Sequence, residues 1–214
     1  MIISPGRKYI FVHIPKTGGT SLALALEQRA MKDDLLIGDT PKAVKRRNRI
    51  KGRSSAGKLW KHSTLSDIDG LIDLETVSNC FCFTLVRNPW DRLVSYYHWL
   101  RAQNFDHPAV TLARLSTFSG FLNAPQTRET LAANPYSKYM TAADHKEHAA
   151  LYIRLEEFNS DAAPLWSYLG FELQLPYANR SDRERGYRQY FSDSDKDLVN
   201  SMCREDIVRF CYTF

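Results

Sequence analysis

The residues with the clearest chemical potential form a short motif near the start of the chain, HIPKTGGTS at residues 13–21. Its two adjacent glycines allow a tight turn and let the backbone approach an anion closely. Its hydroxyl side chains are hydrogen-bond donors, one of which can cap a helix, and Lys16 adds a full positive charge. The combination is suited to holding a phosphate group. An ordinary strand-to-helix turn that contains two glycines is the alternative interpretation.

Apolar runs on either side of the motif predict the elements that position it. Residues 9–12, YIFV, are typical of a buried strand, and residues 22–26, LALAL, are typical of the first turns of a helix. A strand, a glycine-containing loop and a helix together gather backbone N–H groups around an anion. A second apolar run at 81–86, FCFTLV, predicts a central parallel strand that is covered on both faces.

Arg87 and Ser95 form a second candidate anion site. Arg87 follows the second predicted strand directly, and the pattern from Asp91 to Arg101 predicts a helix that carries Ser95. Ligands of open parallel sheets bind beyond the carboxyl ends of the strands, so we expect Arg87 and Lys16 at the same sheet edge. A guanidinium offers a planar fork that suits phosphate. A structural ion pair between Arg87 and Asp91 is the alternative interpretation.

The rest of the pattern predicts an α/β fold with one domain over residues 1–214. A helix followed by a link to the next strand is expected over 66–77. Helices are also expected across most of 109–150, with breaks at Pro125 and Pro135, and at 159–169 and 193–206, with a short strand at 152–155. Residues 39–62 are predicted to be a mobile basic insert. No acidic residue lies between Asp39 and Asp67, and basic residues recur through the segment, at Lys42, Lys45, Arg46, Arg47, Arg49, Lys51, Arg53, Lys58 and Lys61.

Composition places the chain among folded proteins, since 43% of its residues are hydrophobic and 12% are aromatic. The formal net charge of +5 favours anionic partners only weakly. The four cysteines form no C-x-x-C pair, so no metal site is expected, with a pair at His145 and His148 on a polar helix as the alternative. No apolar run approaches the roughly 20 residues of a membrane span, and no signal peptide is recognisable. A reduced, cytoplasmic protein is therefore expected.

The first motif and the segment LVRNPWDRLVSYY at 85–97 together resemble the sulfotransferases that use 3′-phosphoadenosine 5′-phosphosulfate (PAPS) and release PAP. The likeness is greatest to the branch with the carbohydrate and uronyl 2-O-sulfotransferases. It implies a P-loop-NTPase-like three-layer fold, with a central parallel sheet flanked by helices. It also implies that the 3′-phosphate binds at Arg87 and Ser95. The 5′-phosphosulfate is assigned to Lys16, Thr17, Gly18, Gly19, Thr20 and Ser21.

The same resemblance implies roles in catalysis. Related enzymes have a catalytic histidine between the two motifs, and His62 occupies that interval. His62 is therefore the expected general base, with His13 or Glu75 as alternatives and a plain surface histidine as the other interpretation. Lys16 is expected to offset the charge that develops on the leaving phosphate oxygen. The scheme needs no metal. The acceptor is expected to be a small molecule or a carbohydrate, through a hydroxyl rather than an amine.

A late polar stretch supplies the last candidates for nucleotide binding. Ser181 and Arg185 lie in a loop that would close over the nucleotide, or that is simply a solvated link. Adenine would need an aromatic or apolar surface. The candidates are Trp90, Tyr187, Tyr190 and Phe191.

Three other functions compete with sulfuryl transfer. The first is a nucleotide kinase or NTPase-like enzyme of the same architecture, although the required G-x-x-x-x-G-K-[ST] is missing because Lys16 precedes the glycines. The second is a module that binds nucleic acid or another polyanion through residues 42–61. That segment has only Trp60 as an aromatic residue, so nucleic acid is not the expected partner. The third is an inactive homologue.

Overall fold

The computed structural model describes residues 1–175 and 186–214. By their contacts these residues form two compact units. The first unit contains residues 1–86 and 136–175, and the second contains residues 87–135 and 186–214. Each unit is described by itself below, and one domain over residues 1–214 stays a prediction. No helix in the described ranges is both long enough and apolar enough to cross a membrane.

The first unit is built on a five-stranded sheet with the spatial order β3-β1-β2-β4-β5. The strands are β1 (Ile2–Ser4), β2 (Tyr9–Val12), β3 (Leu35–Leu36), β4 (Phe81–Val86) and β5 (Leu151–Arg154). Strands β2, β4 and β5 are parallel, which confirms the predicted sheet at its centre. Strand β1 pairs antiparallel with both β2 and β3, and this mixed edge was not predicted. The two missed strands have only 3 and 2 residues, too few for a periodic signal.

Helices and turns occupy much of the remaining described chain. The α-helices are α1 (Gly19–Gln28), α2 (Pro41–Arg46), α3 (Leu74–Ser78), α4 (Pro89–Arg101), α5 (Pro108–Leu115), α6 (Phe118–Asn123), α7 (Pro125–Ala132), α8 (Tyr136–Tyr139), α9 (Phe158–Asp161), α10 (Ala163–Leu169), α11 (Asp193–Met202) and α12 (Arg204–Arg209). Short 3₁₀ helices cover Arg47–Arg49, Leu155–Glu157 and Arg188–Tyr190.

Alternation along the strands fills the two faces of the sheet. In β2, Ile10 and Val12 belong to one apolar cluster, and Tyr9 and Phe11 belong to the other. The first cluster is closed by apolar residues of 65–77. The second is closed by α1 and α10. The sheet is thus covered on both faces, which is the three-layer α/β arrangement that the sequence predicts.

The second unit has a core of its own, which is rich in aromatic side chains. Helix α4 contributes Trp90 and Tyr97, and α6 contributes Phe118 and Phe121. The helix starts at Pro89 because the Asn88 side chain accepts a hydrogen bond from the Trp90 backbone N–H at 3.1 Å. A proline in the first turn suits this start, since its missing N–H would have no helical partner.

Two predicted helices are wrong in extent. Turns replace most of 66–77, because Gly70 has a left-handed backbone (φ 83°) and the Asp73 side chain caps a new, short helix, α3. The helical pattern of 109–150 ends at Tyr139 rather than at 150. Burial decides against the helix beyond that point, since Met140 and Ala142 join the core under the sheet.

The basic segment, residues 39–62, was predicted to be a mobile insert, but it contains regular secondary structure. It contains α2 and the 3₁₀ helix Arg47–Arg49, and α2 is capped by the Thr40 hydroxyl, which accepts a hydrogen bond from the Ala43 N–H at 3.1 Å. Lys42 donates to the backbone carbonyl of Glu27 in α1. The mobility of residues 39–62 stays a prediction.

Candidate functional site

The HIPKTGGTS motif forms the turn from β2 to α1, as predicted. Lys16 and Gly18 both have a left-handed backbone, with φ of 66° and 85°. Glycine adopts this conformation without a steric penalty, whereas lysine adopts it at a cost in energy. Backbone strain of this kind is found at many functional turns. Gly18 is the N-cap of α1, and no side chain caps the helix there. The first backbone N–H groups of α1 are therefore not taken by a side-chain cap.

The three hydroxyl side chains of the motif have different environments. Thr17 is fully buried, and its hydroxyl donates to the backbone carbonyl of Ile14 at 2.9 Å. This bond holds the loop, so any contribution of Thr17 to anion binding comes from its backbone N–H. Thr20 and Ser21 are partly exposed at the start of α1. They are the hydroxyl donors that a ligand can reach.

Close packing, as well as backbone freedom, requires the two glycines. A Cβ atom at Gly19 would lie 2.3 Å from Cδ2 of His13, and one at Gly18 would lie 2.8 Å from Cδ1 of Leu155. The imidazole of His13 therefore rests directly on the start of α1. Any side chain at residue 19 must move that ring.

We expect Gly19→Ala to lower stability, because the added methyl group displaces His13. Overpacking of this kind costs about 1–3 kcal/mol. Urea unfolding measures the effect. Gly186→Ala is a suitable control, since a Cβ there meets none of the described atoms within 4 Å. Parent-like stability in Gly19→Ala would contradict the packing argument.

His62 lies beside His13, and the geometry fixes its tautomer. The Nδ1 atom of His62 is 2.7 Å from the backbone carbonyl oxygen of His13. A carbonyl oxygen only accepts, so Nδ1 carries the proton and Nε2 of the neutral ring keeps its lone pair. The two rings meet edge to face, with centroids 4.7 Å apart.

Burial keeps both imidazoles neutral. It lowers the pKa of His62 from 6.5 to about 4, although the bond to the His13 carbonyl favours the charged form. It lowers the pKa of His13 well below the usual value, with a further contribution from His62. At neutral pH His62 is therefore in the form that can accept a proton, with the accepting atom set by the backbone.

In the second unit, the second candidate anion site contains an ion pair. Nε and Nη2 of Arg87 lie 2.9 and 2.5 Å from Oδ2 of Asp91. The pair that we considered as an alternative is therefore present. Both of these bonds go to the same carboxylate oxygen, and an ion pair of this kind does not by itself exclude phosphate binding. Ser95 lies two turns into α4 and is 4% exposed.

Among the aromatic candidates for adenine, Trp90 belongs to the core of the second unit, and Tyr187, Tyr190 and Phe191 are partly buried against that core. Trp90 is only 3% exposed, and its indole N–H donates to the backbone carbonyl of Lys196 at 3.2 Å. Tyr190 and Phe191 meet Phe118 with ring centroids 5.9 and 4.8 Å apart. Trp90 thus offers no open face to a base. Ser181 and Arg185, the late-loop candidates, lie outside the described residues.

Sequence reasoning gave Trp60 no role at the site. Trp60 is 47% exposed, and its ring meets that of His62 with centroids 5.0 Å apart. The available signal was the spacing W-x-H, which places two large rings within one turn.

No metal site was found in the part of the chain that the structure describes, where no three His, Cys, Asp or Glu side chains lie close enough to hold an ion. The alternative at His145 and His148 assumed a helix, but both residues lie outside the described helices. Nε2 of His148 is 3.1 Å from each carboxylate oxygen of Asp144, which accounts for that side chain.

Comparisons with known proteins agree with the sheet, loop and helix described above. A family model described as the sulfotransferase family matches residues 1–213. A search of curated proteins gave no match. Among solved structures, mouse sulfotransferase SULT7A1 complexed with PAP is similar, with a TM-score of 0.56 and 16% identity over 98% of this chain and 89% of that one. Such low identity indicates a shared fold. Because the family model spans nearly the whole chain, this protein belongs to the sulfotransferase family.

Proposed function

We propose that this protein transfers a sulfuryl group from PAPS to a hydroxyl of its acceptor, with Lys16 and His62 as catalytic residues. The observation that carries the proposal is the pairing of two features in one unit. The β2–α1 loop has the glycines and the uncapped helix start that suit an anion, and beside it His62 is neutral, with Nε2 left as the proton acceptor by the His13 carbonyl. The acceptor is a small molecule or a carbohydrate, and the group that receives sulfate is a hydroxyl in preference to an amine.

The sequence resemblance assigns one end of the donor to each of the two candidate anion sites. The first N–H groups of α1, the hydroxyls of Thr20 and Ser21, and the backbone of Thr17, Gly18 and Gly19 would bind the 5′-phosphosulfate. Arg87 and Ser95 would bind the 3′-phosphate. Arg87 supplies a planar guanidinium fork that suits phosphate. We propose the same role for Ser181 and Arg185 on the grounds of sequence alone.

The chemistry would be one in-line displacement at sulfur. The acceptor oxygen forms a bond to sulfur while the bond from sulfur to the 5′-phosphate oxygen of the donor breaks, and PAP leaves. Nε2 of His62 takes the hydroxyl proton, and the ammonium of Lys16 offsets the charge on the departing oxygen. The negative charge of the bound donor raises the pKa of a nearby imidazole, which makes His62 a stronger base in the complex than in the free protein.

Ligand binding separates this proposal from a nucleotide kinase or NTPase. Without metal, PAP at a hundred times its Kd should stabilise the folded protein by about 2.7 kcal/mol, which raises Tm. Magnesium with ATP should have a smaller effect. Stabilisation by magnesium and ATP with none by PAP would overturn the proposal.

The 3′-phosphate can be tested through the ratio of two affinities. The parent protein should bind PAP more tightly than AMP, which lacks that group. Charge-assisted hydrogen bonds contribute about 1.5–3 kcal/mol, so Arg87→Ala should reduce the preference by roughly tenfold or more. Because both ligands are measured on the same variant, any general loss of stability cancels. Arg101→Ala, on the exposed end of α4, is the control and should keep the preference.

A further inference from the structure

Trp60 is more exposed to solvent than tryptophan usually is in folded proteins. Its exposed fraction is 47%, although tryptophan is highly buried on average in folded proteins. A large ring left in water is costly unless something covers it, and exposed aromatic rings are common at binding surfaces. Trp60 lies in a strongly basic segment, between Leu59, which packs against the core, and Lys61.

The backbone that carries Trp60 is held in place by a buried serine. Ser63 is 0% exposed, and its Oγ accepts a hydrogen bond from the Trp60 N–H at 3.0 Å. The same oxygen lies 2.9 Å from the Lys58 carbonyl and 3.0 Å from the Trp60 carbonyl. Lys61, within the turn, is paired with Asp39 at 2.6 Å. These bonds hold the backbone of residues 58–63 in one turn, and a turn that is held before binding lowers the entropic cost of binding.

The exposed ring lies next to the proposed base. The planes of Trp60 and His62 cross at 87°, with centroids 5.0 Å apart, and on its other contact His62 meets the buried ring of His13. The three side chains form a row from the buried start of α1 to the surface. A flat molecule that stacks on Trp60 would carry the groups on its edge beside His62.

From these contacts we infer that Trp60 is the surface on which the acceptor stacks. The acceptor would be a ring compound with an apolar face and a hydroxyl group on its edge. A pyranose, through its C–H face, and a phenol both have this chemistry, whereas an acyclic alcohol does not. The inference rests on the proposed function, because it takes His62 as the base that receives the hydroxyl proton.

Saturation-transfer NMR on the full chain, with and without PAP, tests the inference. The probes are a panel of methyl pyranosides, a panel of simple phenols, and sorbitol as an acyclic polyol. We expect ring hydrogens of one panel to receive saturation, and sorbitol to receive none. Aromatic contacts of this type contribute about 0.5–1.5 kcal/mol. Trp60→Ala should therefore weaken binding several-fold to about tenfold, and Trp60→Phe should weaken it less.

Two controls separate stacking from a structural effect. Trp99→Ala removes another partly exposed tryptophan, 36% exposed on α4, and should bind the probe as the parent does. The affinity for PAP and the Tm should be the same in the parent and in Trp60→Ala. A response to pyranosides or to phenols identifies the class of acceptor.

Several results would overturn the inference: no ring compound binds, sorbitol binds as well as the rings, or Trp60→Ala binds like the parent. Failure of the proposed function is a different result, since PAP would then fail to bind in any variant. If a ring compound bound through Trp60 but PAP did not bind at all, the stacking inference would stand and the proposed use of PAPS as donor would be rejected.

Discussion

Replacement of His62 by alanine is expected to slow sulfuryl transfer by roughly 10²–10⁴-fold, the usual contribution of a general base. PAP affinity should not change, because the imidazole acts on the acceptor proton and not on the nucleotide. Single-turnover transfer of radiolabelled sulfate from PAPS to the best acceptor of a panel measures the rate, and calorimetric titration measures PAP affinity.

The bond to His13 allows the catalytic and structural roles of His62 to be separated. In His62→Asn the side-chain amide can donate to the His13 carbonyl, as Nδ1 of His62 does at 2.7 Å, but it has no basic nitrogen. We expect His62→Asn to be as slow as His62→Ala and to unfold at the parent temperature. His145→Asn is the matched control, an exposed histidine whose φ of 60° asparagine tolerates. A rate within a few-fold of the parent in His62→Ala would move the role to His13 or Glu75.

The pH dependence gives His62 a second signature. Only the neutral ring is a base, and burial lowers its pKa from 6.5 to about 4. The acid limb of kcat/KM, which reports the free enzyme, should therefore lie near pH 4 rather than near 6.5. The free energy of unfolding also depends on the protonation of His62. Between these two pH values the unfolded chain binds more protons than the folded one, so the contribution of His62 to stability is lost as the pH falls through this window.

The strands and the loop were the parts of the structure most open to prediction. Residues 9–12 and 81–86 are apolar throughout, and a run of that kind has few alternatives to a central strand. The short strands β1 and β3 had no such pattern, because pairing with neighbours determines them rather than their own sequence. The same holds for residues 140–150, where burial under the sheet outweighs the helical propensity of the alanines.

In the candidate site, features that depend on residue type could be predicted from the sequence, and features that depend on three-dimensional context could not. Glycines, hydroxyls and Lys16 indicated an anion loop because their chemistry is local. The buried hydroxyl of Thr17, bound to the Ile14 carbonyl, could not be told from the accessible ones by type. The tautomer of His62 depends on a carbonyl 49 residues away in the chain, and no spacing rule reports such a contact.

The exposure of Trp60 also had to come from the structure. A tryptophan beside a histidine in the sequence fits a packed core as well as an open surface. The buried Ser63 decides between them, because it fixes the turn in a shape that leaves the indole outside. The assignments of nucleotide-binding residues in both units stay predictions, and the two affinities of PAP and AMP bear on them directly.

Replacement of Lys16 by alanine is expected to slow transfer by roughly 10²–10³-fold, the usual cost of removing one preorganised group that stabilises charge in the transition state. Its effect should differ in kind from that of His62→Ala. The 5′-phosphate of PAP carries the charge that builds up as the donor bond breaks, so Lys16→Ala should bind PAP more weakly, whereas His62→Ala should not. Rapid-quench transfer and calorimetry on the two variants measure this contrast.

A control is needed to separate the charge of Lys16 from its left-handed backbone. Alanine at this position keeps the backbone strain and removes the charge. Lys8 has the same property, with φ of 53° against 66° at Lys16, and it lies at the opposite end of β2 from the loop. Lys8→Ala therefore removes an equal charge from an equally strained position. We expect it to transfer sulfate at the parent rate, while Lys16→Gly, which relieves the strain, should be as slow as Lys16→Ala. If Lys16→Gly recovered the parent rate, the lysine would serve the shape of the loop, and the charge on the leaving oxygen would need another source.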